Sequence, residues 1–226
     1  MSSHPSHPMP RGLSLVELLV SVAVGLFIVA TASSLFAGQL QTNRSLLLES
    51  RLMQELRTTT DLVTRDLRRA GHWGAAASGV WQPGGSAVLA NPYAAVTLGA
   101  SAASAAVAFQ FSRDAIENHV VDADENFGLR LRNGVIEMQL GSGGWQALTD
   151  ATSLVVTEFS ITPLMQSISL AAYCPRGCSG SACPRQQLRS LAVQIAARAL
   201  RDPQVTRSLR SEVRLRNDAI AGNCPV

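Results

Sequence analysis

The 226-residue chain is 46% hydrophobic and 15% charged, with a net charge of +3. That composition excludes a disordered polyampholyte and leaves ample apolar surface for a core. All 19 basic residues are arginine, scattered and nearly balanced by 16 acids; this reads as codon bias and argues against a nucleic-acid-binding surface.

The N-terminal segment, residues 1–12 (MSSHPSHPMPRG), is polar, contains prolines at 5, 8 and 10, and ends in Arg11-Gly12. Proline forbids a helix there, so a helix is expected to start at about Leu13. From Leu13 to Phe36 the one charge is Glu17, and from Leu18 to Asn43 nothing is ionisable. About 20 apolar residues suffice to span a bilayer as helix. A retained anchor, a secretory signal and a buried core helix compete for this stretch. A core helix apolar on every side does not suit so small a protein. Ala30-Thr31-Ala32 resembles a signal-peptide cleavage site, but the apolar run continues through Leu35 and Phe36. Glu17 counts further against a signal, since an acidic side chain inside a bilayer costs about 2.5 kcal/mol or more and so marks function. Arg11 before the run, with a nearly neutral far side, orients the N-terminus toward the cytoplasm.

Residues Arg11-Gly12-Leu13-Ser14-Leu15-Val16-Glu17-Leu18-Leu19-Val20 resemble the class III signal of type IV prepilins. The resemblance implies cleavage by a membrane-embedded prepilin peptidase between Gly12 and Leu13 and methylation of Leu13. Most members carry Phe at that position, and Leu13 is another large apolar residue. Glu17 falls where the family has its glutamate, fifth in the mature chain. There it is expected to pair with the N-terminal amine of a neighbouring subunit, relieving two buried charges and setting axial register. The rival role for Glu17 is snorkelling toward the headgroups.

From Ser45 to Ala70 there is neither Gly nor Pro, and Leu48, Leu52, Leu56, Val63 and Leu67 recur at helical spacing with Thr59 in the gap. Arg51–Glu55, Arg57–Asp61 and Asp61–Arg65 are spaced for i,i+4 ion pairs. Gly71 is a natural stop. One helix of roughly 87 Å is expected from Leu13 to Ala70, with residues 13–40 as the transmembrane and assembly half and 41–70 as the amphipathic half. Ser21 and Gly25 form a small-xxx-small pair that would let another helix approach closely.

Residues 71–226 are expected to form a β-rich periplasmic head. Residues 71–99 read as a loop-rich connection with short extended pieces, in which Trp73 and Trp81 fold back onto the helix. Strands are expected at 105–111, 127–132, 135–140, 145–148, 154–161, 188–200 and from 209 to 217, with Asn133-Gly134 as a hairpin turn. The fold class is α+β: a long N-terminal helix packed on an antiparallel sheet, as in type IV pilins.

Arg65-Asp66-Leu67-Arg68-Arg69-Ala70-Gly71-His72-Trp73-Gly74 resembles the helix-exit segment of PilW-type minor pilins, and the hairpin 129–140, Trp145–Leu148 and Val213–Asn217 resemble their strand order. This implies a role in type IV pilus assembly, priming at the tip, with other minor pilins, the major pilin, a tip adhesin and the inner membrane as partners. The J-type pseudopilin of type II secretion shares the helix, the Arg-Asp-Leu segment and the sheet and is the alternative; a membrane-anchored binding module or enzyme is a third.

Cys174, Cys178 and Cys183 lie in one Pro/Gly/Ser-rich loop and Cys224 near the C-terminus. Outside the cytoplasm four cysteines imply two disulfides, of three possible connectivities. The spacings do not form the paired CxxC pattern of a zinc site. Asp122-Ala123-Asp124-Glu125-Asn126-Phe127-Gly128 departs from a calcium loop, with glycine one place late and Asn133 at the twelfth position, and reads as a solvated acidic loop. His119 reads as a surface residue. No nucleophile, metalloprotease or nucleotide motif occurs, so no catalytic residue, metal or cofactor is expected.

Overall fold

The computed structural model describes residues 14–80, 88–99 and 105–225. Helix α1 runs Leu15–Arg69 without interruption. The chain divides into two units, residues 1–47 and 48–226, so α1 contributes its apolar half to the first and its amphipathic half to the second.

In the first unit every residue from Ser14 to Arg44 is exposed. Leu15, Val16, Phe27, Val29, Leu35 and Phe36 each leave more than 60% of their surface open. So large an apolar surface on one helix is not a water-facing design; it fits a single-pass membrane anchor.

In the second unit the helix buries one stripe, Leu52, Leu56, Val63 and Leu67, with Thr59, Thr60 and Thr64 closing the gap. The spacing is that of one face of a 3.6-residue helix. The stripe shares its core with two antiparallel sheets. The first contains β1 (Val96–Leu98), β2 (Ala106–Gln110), β3 (Asn126–Arg132), β4 (Val135–Leu140) and β5 (Trp145–Ala147), in that spatial order. The second contains β6 (Leu154–Ser169), β7 (Arg185–Ala199) and β8 (Thr206–Arg214), with β9 (Ala219–Ala221) pairing the start of β7. This is the α+β architecture read from the sequence.

The hairpin turn falls where Asn133-Gly134 predicts it: both residues have positive φ, 51° and 76°, as a two-residue turn of this twist requires. The Gly134 carbonyl then accepts the Val156 N–H at 2.8 Å, tying the first sheet to β6. Glu55 and Glu49 anchor the helix further: Ser153 Oγ donates to Glu55 Oε2 at 2.6 Å, and Arg207 pairs with Glu49.

Several boundaries differ from expectation. β6 runs eight residues past Ile161, through Pro163, because β7 holds it in continuous register from Glu158↔Ala196 to Ser169↔Arg185. β8 ends at Arg214, freeing Asn217 for another task described below. Of the three expected helix ion pairs, Arg51–Glu55 forms at 3.1 Å. Among the described residues Asp61 makes none; Arg65 turns instead to Asp66, at 3.7 Å. Pairs this exposed contribute little, so neighbouring geometry decides them.

Candidate assembly site

Four hydroxyls in the apolar half of α1 bond back to the helix itself. Ser21 Oγ donates to the Glu17 carbonyl (2.7 Å), Thr31 to Ile28 (2.8 Å), Ser34 to Thr31 (2.8 Å) and Thr42 to Gly38 (3.0 Å). A hydroxyl bonded back to its own helix can lie in a low-dielectric environment without an unmet donor. The Glu17 carboxylate lies exposed in the first turn. Gly25 and Gly38 have open space where a Cβ would stand, so no packing within the chain requires them. Gly12 and Leu13, the expected cleavage and methylation positions, lie outside the described residues.

Hydrogen bonds from several segments converge on the helix exit. Gly71 adopts φ 76°, a left-handed conformation that favours glycine. Its N–H donates to the Gln110 carbonyl (2.8 Å), and Ser112 N–H donates to the His72 carbonyl (2.9 Å), stitching the end of the helix to the end of β2. The Gly71 carbonyl accepts two amide donors, Asn91 Nδ2 and Asn217 Nδ2, both at 2.8 Å. Asn217 reaches it because β8 has already ended. Arg189, on β7, lies against this point: Nη1 donates to the Ala94 carbonyl (2.6 Å) and Nη2 to the Asn217 carbonyl (3.2 Å). Burial lowers the Arg189 pKa, and the nearby Asp218 carboxylate opposes that shift. The Arg69 guanidinium lies 4.0 Å over the Phe111 ring, which stacks on Phe127. Asp66, buried, lies 3.9 Å from Arg69.

A second layer covers this exit. Glu117 accepts the Gly74 N–H (2.8 Å), the His119 N–H (3.0 Å) and the Tyr93 hydroxyl (3.2 Å). Burial opposes ionisation of Glu117. The donors from Gly74 and His119, with the Ser112 and Tyr93 side chains, outweigh it and hold the pKa below the ordinary carboxylate value. Burial pushes the Tyr93 phenol well above its usual range. Trp73 is buried; its indole N–H donates to His119 Nδ1 at 3.2 Å, and its ring leaves 3.0 Å for a Cβ at Gly79. Trp73 thus packs on the exit loops, while Trp81 lies outside the described residues. His119 is exposed, as expected of it, yet takes part in this network.

The acidic loop corrects its sequence reading. Asp122 and Asp124 are exposed, but Glu125 is fully buried. Its Oε1 accepts the Arg113 N–H (2.6 Å) and its Oε2 the Asp122 N–H (2.9 Å). A carboxylate so used braces the loop. No cluster of three or more potential metal-ligating side chains occurs among the described residues.

The cysteines form two bridges: Cys174–Cys224 fastens the C-terminal tail to the loop between β6 and β7, and Cys178–Cys183 closes a small ring inside that loop.

No motif or spacing points to the Asn91, Tyr93, Glu117, Arg189 and Asn217 network. Its members are spread over 127 residues, and each is an ordinary surface residue type where it stands.

The model of a family described as PpdB, prepilin peptidase-dependent protein B, matches residues 45–215. The chain belongs to this family. The matched span begins after Gly12, Leu13 and Glu17, so PpdB membership is independent of the leader signature; the two features converge from different parts of the chain. In PpdB terms the matched region runs from the amphipathic half of α1 through the helix exit and both sheets to Leu215, and this chain is accordingly a prepilin-peptidase-dependent, pilin-like protein. No curated protein and no solved structure matches the chain.

Proposed function

We propose that this pilin-like chain is a minor pilin of PilW type. In this reading prepilin peptidase cuts between Gly12 and Leu13 and methylates Leu13, and the helix stays in the inner membrane with its N-terminus cytoplasmic and its head periplasmic. The chain then enters a type IV pilus with other minor pilins and the major pilin, priming assembly at the tip, beside an adhesin. It works by packing rather than by catalysis, and without a cofactor.

The observation that carries this reading is the exposed apolar helix, with four hydroxyls bonded back to its own backbone and Glu17 as its one carboxylate between Ser14 and Asn43, joined to a head of the prepilin-peptidase-dependent family. In lipid an unpaired carboxylate is unfavourable, by about 2.5 kcal/mol at a helix centre and less near an end, where Glu17 stands. A neighbour's N-terminal amine at that depth removes the penalty for both charges. Gly25, with open space at its Cβ position, offers a place for a second helix to approach.

Mass spectrometry of the mature N-terminus tests the first step: a methylated Leu13 is expected, and an intact leader or a start after Ala32 refutes it. Glu17→Ala tests the second: cleavage should persist while incorporation into fibres falls at least tenfold by immunoblot of sheared pili. Normal incorporation would remove the charge-pairing role. Loss of secretion with normal piliation on deletion of the gene would assign the chain to a type II pseudopilus instead.

A further inference from the structure

The distal seven residues of β6, at the edge of the second sheet, carry no charge. From Pro163 to Ser169 (Pro-Leu-Met-Gln-Ser-Ile-Ser) every residue of β6 is exposed. Met165 leaves 65% of its surface open, Ile168 42%. Two hydrogen bonds fix which backbone groups face outward. Leu170 N–H donates to the Pro184 carbonyl across the β6–β7 ladder, so even-numbered residues of this stretch face β7. The Arg189 carbonyl accepts from Leu215 N–H on the far side of β7, so its partner Met165 points away from β7. Met165, Ser167 and Ser169 therefore present their N–H and C=O groups outward. Among the described residues, no backbone partner takes them. Pro163, with no N–H to offer, ends the row on one side; the turn at Leu170 ends it on the other.

Such a row is a template for another strand, and natural sheets usually blunt it with charge. The other exposed edges of the head differ. β8 carries Arg207, Arg210, Glu212 and Arg214, and β1, β5 and β9 have three residues each. The β6 edge is also self-complementary. Set antiparallel to its own copy about Ser167, it places Met165 opposite Ser169 and Ser167 opposite Ser167. Every outward N–H then meets a C=O, Pro163 falls outside the paired span, no charge meets another, and Ile168 stands diagonal to its counterpart.

We propose that the β6 edge of this head docks a second copy of the chain, antiparallel and centred on Ser167, so that two four-stranded sheets become one. The pairing lies within the head and is independent of leader cleavage.

Site-directed cross-linking of the full-length chain in its membrane tests it. Opposed residues of a hydrogen-bonded pair have Cα atoms about 5.5 Å apart, inside the disulfide range of roughly 4.4–6.8 Å. Residues offset by four positions stand about 13 Å apart. Under mild oxidation Ser167→Cys should give a covalent dimer, Ser169→Cys alone should stay monomeric, and Met165→Cys with Ser169→Cys should dimerise. Retention of both native disulfides, read by peptide mapping, shows that the variants fold. A folded Ser167→Cys chain that remains monomeric overturns the proposal. So does Ser169→Cys cross-linking as well as Ser167→Cys, which indicates random collision, or an adduct to a different protein in place of the dimer. The readout is the same for the uncleaved precursor, so its failure is separate from any failure of leader processing.

Discussion

The two disulfides divide the same loop so unequally that their contributions to stability can be ranked from the chain alone. Cys174–Cys224 joins residues 50 apart, Cys178–Cys183 residues 5 apart. In the chain-entropy account a cross-link restricts the unfolded chain by an amount that grows with the logarithm of the loop closed. That gives about 4 kcal/mol for the long bridge and about 2 kcal/mol for the short one. Burial does not confound the comparison, because each pair contains one buried and one half-buried cysteine. Cys174→Ala with Cys224→Ala should therefore destabilise the head about 2 kcal/mol more than Cys178→Ala with Cys183→Ala. With a denaturant slope of about 2 kcal/mol per M for urea, the two midpoints should differ by about 1 M. The assay is urea unfolding of the full-length chain in mild detergent, followed by tryptophan fluorescence. Equal midpoints, or a larger loss for the short bridge, would refute the entropic reasoning. Such a result would mean that the tail stays docked without its bond, through the pairing of β9 with β7 and the Asn223 N–H donated to the Ala182 carbonyl at 3.0 Å.

Two further outcomes concern the helix exit. Gly71→Ala must place a Cβ on a left-handed residue, 3.2 Å from Arg189 Nη2; a loss of at least about 1 kcal/mol in urea unfolding is expected. Glu117→Gln should destabilise by about 1–2 kcal/mol, since a charged acceptor of several donors becomes a neutral one. The wild-type folded pKa of Glu117 is depressed, so its contribution is complete above the unfolded value of about 4.3 and disappears as pH falls below it. The wild-type advantage over Glu117→Gln should accordingly vanish in acid, and a difference constant from pH 7 to pH 3 would contradict that assignment.

How much of this molecule was legible depends on how local its causes are. Leu52, Leu56, Val63 and Leu67 announce a buried stripe because the helix repeat sets it within one element. Asn133-Gly134 announces its turn because two adjacent residues need positive φ. The distal half of β6 is different. Pro-Leu-Met-Gln-Ser-Ile-Ser has a proline and no apolar alternation, and it is a strand because β7 pairs with it and two disulfides close the far end. Glu125 sits in what reads as a solvated acidic run, and its burial follows from backbone N–H groups at Arg113 and Asp122 that no spacing rule reveals. The exit network is further still from the sequence: its side chains converge only after both sheets have formed. The three-way choice among cysteine pairings likewise needed the tail to be brought beside Cys174.

The carbonyl of Gly71, gripped by Asn91 from one side and Asn217 from the other, has a mechanical meaning. Tension drawn along α1 does not have to run down the covalent chain into the loop after Gly71. It passes sideways, at one atom, into segments that lie 20 and 146 residues downstream. A pull arriving at Gly71 thus meets two side-chain anchors from distant segments as well as the covalent backbone.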